Sequence, residues 1–175
     1  QIESFKNTFL YFFSFQGLIL YLITLVFVKS LHELGHAFVS KYFGCRVSSI
    51  GIAFLVFFPF LYTDTSDAWR LRDHKDRLLI NFAGILTELH LALISTFLWA
   101  ILPDGGLKSV AFFIATTSWI SSLAINVSPF MRFDGYYVFS DWLKAENLQP
   151  RSFALARWQL REILFGFNHL SLIHI

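Results

Sequence analysis

From residue 7 to residue 28 the chain carries no charged side chain. That run of 22 residues exceeds the roughly 20 that an α-helix needs to cross a ~30 Å hydrocarbon core. In lipid a backbone N–H or C=O finds no water, so such a run must satisfy its own hydrogen bonds as a helix. Two further stretches repeat the pattern: about residues 78–102, ended by Pro103-Asp104-Gly105-Gly106, and about residues 109–131. The first span is read as about residues 15–43, with Gly44 as its stop. Only 15% of the residues are charged and 55% are hydrophobic, whereas a soluble domain carries about a quarter charged residues.

Residues 47–63 are also uncharged, but they are β-branched and aromatic and are broken by Gly51 and Pro59. Such a segment suits a hairpin or a re-entrant loop better than a full crossing. The expected fold is a mainly α membrane protein. It has three core transmembrane helices, with a short membrane-associated β-hairpin or re-entrant segment between the first two. A fourth crossing is the competing reading, and it would invert everything downstream.

Charge orients these spans. The connection between the first two holds Lys41, Arg46, Arg70, Arg72, Lys75 and Arg77, and the tail holds Arg132, Lys144, Arg151, Arg157 and Arg161. The opposite side has only Lys6 and Lys108. The positive-inside rule puts the basic sides in the cytoplasm. The single cysteine, Cys45, fits a reducing compartment there and excludes an internal disulfide or a Cys-rich zinc site. A net charge of +2 is too small to imply a nucleic-acid partner. The chain begins at Gln1 and is read as a piece of a longer membrane protein. Residues 1–145 form its core. Residues 146–175 form an interfacial amphipathic segment or the start of a further span, with a truncation scar from Ser171 onward.

The first span ends in His32-Glu33-Leu34-Gly35-His36. On a helix this H-E-x-x-H spacing puts two imidazoles one turn apart on one face, where they suit a zinc ion, with the glutamate beside them as general base. A shuffled chain of this composition would contain the pattern roughly 0.006 times, so chance does not account for it. Ionisable groups at membrane depth are costly and mark function. Glu33 can take a proton from a water and return it to a leaving amine; its bland alternative is an ion pair with Lys29 at i−4.

Catalytic zinc takes three protein ligands and keeps a fourth position open. Two acids compete for the third place. Asp134 returns to the same membrane side after the third span, and Glu88 lies about ten residues into the second. Both are within reach by topology. The local sequence favours Asp134: Pro129 breaks the helix before it and Gly135 permits an unusual backbone angle after it. A broken helix is a common way to aim a ligand or to expose polar backbone.

Together His32-Glu33-Leu34-Gly35-His36 and Asn126-Val127-Ser128-Pro129-Phe130-Met131-Arg132-Phe133-Asp134-Gly135 resemble the two motifs of the site-2 protease family of intramembrane zinc metalloproteases. The likeness covers roughly residues 18–141. The stretches Tyr62-Thr63-Asp64, Asp67-Ala68-Trp69-Arg70, Phe133-Asp134-Gly135-Tyr136-Tyr137 and Ser140-Asp141-Trp142-Leu143 look like a bacterial branch of peptide zinc metalloproteases tied to peptide export. The resemblance implies Zn²⁺ held by His32, His36 and Asp134, Glu33 as base, and Asn126 and Pro129 in substrate binding. It also implies a bacterial inner membrane, a membrane peptide or protein as substrate, and a membrane-fusion-type secretion adaptor as partner. One departure concerns the second core helix. There Ala83-Gly84-Ile85-Leu86-Thr87-Glu88 lacks the family's proline and ends in an acid, which leaves Glu88 as an alternative ligand. The expected activity is a zinc-dependent intramembrane endopeptidase; the rival is a non-proteolytic zinc-binding component of a peptide-secretion system.

Other residues read as structural. His90 is two residues from Glu88 and points elsewhere, to an interhelical bond or a cavity wall. Asp64 and Asp67 are expected to cap a turn. His74, His169 and His174 read as surface histidines. Gly35 and Gly84 are expected to let helices approach. The phenylalanines face lipid or pack, and Tyr136, Tyr137, Phe139 and Trp142 are expected to form an interfacial belt.

Overall fold

The computed structural model describes residues 13–55, 58–145 and 147–166. Helix α1 (Phe15–Tyr42) starts at Ser14, whose side chain accepts the Gly17 N–H at 3.0 Å. It ends where Gly44 takes a left-handed φ of +75°, and the Gly44 and Cys45 amides return to the carbonyls of Lys41 and Ser40. A glycine tolerates that angle without the Cβ clash that would strain other residues. Its 28 residues span about 42 Å at helical rise, more than the hydrocarbon core needs.

Strands β1 (Ile50–Leu55) and β2 (Phe58–Thr63) follow as an antiparallel pair, with Gly51 opposite Tyr62 and Phe54 opposite Pro59. The fourth crossing is thereby excluded: a two-stranded hairpin occupies that segment, and β2 lies against α1. A Cβ at Gly51 would sit tightly against the Tyr62 ring, at 3.0 Å. A 3₁₀ turn over Ser66–Arg70 leads to helix α2 (His74–Ile101), capped by Asp73 through the Lys75 N–H at 2.9 Å. Asp64 accepts the Ser66 N–H at the start of the turn, whereas Asp67 accepts the Arg46 N–H and the Arg70 guanidinium and so ties the turn to the chain that follows α1 rather than capping it.

Helix α3 (Gly106–Trp119) continues as a π-helical stretch over Ile120–Asn126. The chain then leaves helical geometry until α4 (Asp134–Trp142), and α5 (Leu148–Phe165) follows. Three helices are long and apolar enough to cross a membrane: Phe15–Tyr42, His74–Ile101 and Gly106–Asn126.

The packing is that of a membrane bundle. Small residues fill the helix contacts, among them Thr24, Gly84, Ala92, Ser95, Ala111, Ala115, Ser118 and Ser122, while Phe15, Phe38, Leu93, Ile94 and Phe97 stand exposed. Lipid tails are as apolar as these outer side chains, so helices associate through close backbone approach rather than through hydrophobic burial. Phe112 and Phe113 are buried exceptions. Cys45, Ala68 and Ile80 make a small apolar cluster beneath Val39, Phe43 and Leu71, which fastens the end of α1 to the turn and to α2. The proposed aromatic belt needs one correction. Tyr136 is buried and its hydroxyl accepts the Gln149 N–H at 3.1 Å, tying α4 to α5, while Trp142 is exposed. A long apolar ring with one polar tip can serve either place, and the α4–α5 contact claims it here. His169 and His174 lie outside the described residues.

Candidate metal centre

The i, i+4 spacing on α1 brings the His32 and His36 rings to 4.8 Å between centroids, both buried against α2. What makes room for them is Gly84. A Cβ there would collide with both rings, so the position is a cradle for the imidazoles rather than a general packing site. The sequence reading gave Gly84 packing alone. Gly35 fits that description better, because a Cβ there would meet the Thr87 side chain and the Ala83 carbonyl.

The third group arrives from the far side of the bundle. Asp134 is the first residue of α4, and its Oδ2 lies 2.9 Å from His32 Nε2 and 3.3 Å from His36 Nε2, with the two nitrogens 3.2 Å apart. Donor atoms around a tetrahedral zinc, at about 2.0–2.1 Å each, stand about 3.3 Å from one another. The three atoms already form such a triangle, and they make one group of a size to hold a metal ion. Asp134 follows the spanning helices. Burial raises its carboxyl, but hydrogen bonds from His32 and His36 outweigh that and hold it well below the usual carboxylate range.

Gly135 does not have the unusual backbone angle expected of it: among the described glycines only Gly44 and Gly166 have φ in the left-handed region. The residue must be glycine because a Cβ would overlap the carbonyl oxygens of Asn126 and Val127. Close approach of α4 to the end of α3, not a special dihedral, is what delivers Asp134.

The remaining ring nitrogens are turned outward from this triangle. His36 Nδ1 donates to the Ile80 carbonyl at 2.8 Å, which fixes its proton on Nδ1 and leaves Nε2 free for a metal. His32 Nδ1 faces Glu88 Oε1 at 3.0 Å. Glu88 therefore lies behind His32, away from the triangle, and pairs with Lys29 at 2.7 Å. The i−4 pairing of Lys29 with Glu33 is not formed; Lys29 reaches across to α2 instead.

Glu33 is half-buried and lines two clefts that meet at Asp134. One, about 490 Å³, is polar, with Thr63, Asp64, Asn81, Arg132 and Tyr137 in its wall. The other, about 400 Å³, is apolar, with Tyr21, Leu25, Leu61, Ile125 and Phe133. Strand β2 borders both, and Thr63 Oγ1 donates to the Glu33 carbonyl at 3.0 Å.

Asn126 lines the apolar cleft, but its amide NH₂ donates to Glu88 Oε2 at 2.8 Å. Pro129 lies in the non-helical break and lines a separate apolar pocket with Phe82, Ile85 and Val138, apart from the Glu33 clefts. His90 is exposed and bonds the Leu86 carbonyl of its own helix, and His74 is exposed beside Arg77.

The family model for Peptidase family M50 matches residues 18–129. The chain belongs to peptidase family M50. This is the site-2 protease family, whose members are membrane zinc metalloproteases, so the chain is an integral membrane protein of a metallopeptidase family. The M50 match takes in the histidine motif, the hairpin, Glu88 and Asn126 and stops short of Asp134. No curated protein and no solved structure matches the chain.

The donors of this M50 chain fit the family's zinc on physical grounds. Two neutral imidazoles and a carboxylate are a common catalytic zinc set. Asp134 brings a carboxylate to the triangle itself and Glu33 stands beside it, so a divalent cation held there would meet opposite charge.

Proposed function

We propose that this chain is a zinc-dependent endopeptidase that hydrolyses a membrane-embedded or membrane-delivered peptide, with Glu33 as general base. The observation that carries this reading is the meeting of a polar and an apolar cleft at one point, where Glu33 stands beside the His32, His36 and Asp134 triangle. Hydrolysis needs water from one side and a greasy peptide from the other, and that junction offers both.

Zinc held by His32, His36 and Asp134 would polarise the scissile carbonyl and make the attacking water more acidic. Glu33 takes the proton of that water and delivers it to the departing amide nitrogen. The peptide has to be extended, because helical hydrogen bonds hide its carbonyls. Strand β2, bordering both clefts, can pair with such a strand by β-addition. Asn126, with Pro129 setting the break after it, would border the bound strand.

The basic connections support a reading in which the catalytic end of α1 faces the cytoplasm of a bacterial inner membrane. In this reading residues 1–145 are the catalytic core. The later segment lies at the interface: α5 has no buried residue, and it exposes Phe153, Leu160, Ile163 and Leu164 alongside Arg151, Arg157 and Arg161.

The decisive experiment replaces the base alone. Glu33→Gln should retain zinc in the purified protein and lower cleavage of a membrane peptide by about 10²–10⁴-fold. Wild-type cleavage by that variant would overturn the assignment. Cleavage that survives exhaustive chelation would instead favour a non-proteolytic zinc component contaminated by another protease.

A further inference from the structure

Glu88 is fully buried, and every neighbour of its carboxylate comes from another helix. Lys29 Nζ donates to Oε1 at 2.7 Å and Ser121 Oγ to the same oxygen at 3.1 Å, while Asn126 Nδ2 donates to Oε2 at 2.8 Å. The remaining approach is His32 Nδ1, 3.0 Å from Oε1. That nitrogen is buried and has no well-aligned hydrogen bond, so the obliquely placed carboxylate is the acceptor at hand. A carboxylate can only accept, so the proton between them belongs to Nδ1.

The π-helical stretch is what assembles this nest. In an α-helix Ser121 and Asn126 would stand about 140° apart around the axis. The wider π turn, over Ile120–Asn126, narrows that angle and lets both side chains reach Glu88. A helix that departs from α-geometry at one place in the bundle, and there meets a buried acid, is paid for by the contacts it creates.

The two rings are thus held differently. His36 gives its Nδ1 proton to a neutral backbone carbonyl, whereas His32 faces a charged carboxylate. A carboxylate behind an imidazole fixes the ring's orientation and makes its free nitrogen a stronger donor to a metal. Lys29 offsets the charge that this costs within the bilayer.

We propose that Glu88 is a positioning residue for the metal centre, acting through His32, with Lys29, Ser121 and Asn126 holding it in place. This rests on the reading of His32, His36 and Asp134 as the metal set. It also gives Asn126 a task separate from substrate contact: its amide is spent on Glu88.

The test is zinc affinity of the full chain in nanodiscs, by competition with a chromophoric chelator, together with the visible spectrum of the Co²⁺-loaded protein. Glu88→Gln keeps the shape but not the charge. It should weaken zinc about 10–100-fold and shift the Co²⁺ bands, whereas a purely structural role would leave those bands in place once the protein is folded. A double variant, Lys29→Met with Glu88→Gln, removes the unpaired cation and guards against misfolding; it should show the same loss of affinity. Wild-type affinity and an unshifted Co²⁺ spectrum in both variants would overturn the proposal. His32→Ala serves as the reference. If it loses zinc while the Glu88 variants do not, only this inference fails; if it too keeps wild-type affinity, the metal-centre reading fails with it.

Discussion

Glu88 and Asp141 are both buried acids, and each is met by one cation and one asparagine from neighbouring helices. Glu88 has Lys29 and Asn126; Asp141 has Arg77, through Nε at 2.7 Å and a second nitrogen at 2.6 Å, and Asn81 at 2.7 Å. The difference lies in what stands next. Behind Glu88 is a ring of the metal centre, and its cation borders the apolar cleft. Asp141 meets no ring of the metal centre: its Arg77 lies 4.6 Å over the Trp69 ring, meets His74 and, with Asn81, forms part of the wall of the polar cleft. The first cluster acts on a ligand. The second fastens α4 to α2, and with it Asp134, which opens α4 seven positions earlier. The same ion-pair chemistry orients one donor and anchors the element that carries another. Arginine suits the anchoring role because its planar fork brings two N–H groups onto Asp141 Oδ1, while lysine supplies a compact charge.

The largest effect should come from breaking the anchor. Arg77→Met leaves Asp141 buried without its cation, and denaturant unfolding should show a loss of about 3–5 kcal/mol. Adding Asp141→Leu should recover most of that stability and restore zinc binding with it. A double variant that stays unstable would end the division between anchor and ligand support.

A smaller and more local effect is expected at the cradle. Gly84→Ala should lower zinc affinity at least about tenfold, the scale of disturbing a ligand's support, because its methyl occupies the space of both imidazoles. Gly35→Ala should do less, since the nearest atom is the movable Thr87 hydroxyl. Equal zinc affinities for these two variants, measured by chelator competition, would show that Gly84 is ordinary packing.

The smallest effect belongs to Asp67, half-buried in the turn. The Arg46 N–H, then Arg70, hold its carboxyl below the usual range. A lowered folded pKa contributes stability above the unfolded value of about 3.9 and loses it as pH falls through the folded one. Asp67→Asn should therefore cost a little at neutral pH, and its unfolding midpoint should converge on wild type below about pH 4. A gap that persists in acid would assign the effect to packing.

Much of the architecture is readable from the chain. Uncharged runs of spanning length leave a helix as the only self-satisfied backbone, and their ends fall within a few residues of the breakers that mark them: Gly44, and Pro103 before Gly106. Gly51 and Pro59 likewise disqualify their segment as a span and leave a hairpin. The third helix was read as far as Met131, but helical geometry ends at Asn126. Nothing in Ile120-Ser121-Ser122-Leu123-Ala124-Ile125-Asn126 announces a π turn, because that turn responds to partners on another helix.

Local spacing alone puts His32 and His36 on one face with Glu33 beside them, since four residues on a helix are always one turn. Whether Asp134 or Glu88 joins them is a different kind of question. Both acids are within reach by length, and the answer depends on how α4 docks against the end of α3 and which side of the His32 ring each acid meets. Packing also turned Gly84 from a spacer into the floor of the site, and Gly135 from a hinge into a point of close approach. Periodicity is a property of neighbours along the chain; the meeting of three helices and a broken end is set by contacts such as His32 with Asp134, far apart in the sequence, which no single stretch of residues encodes.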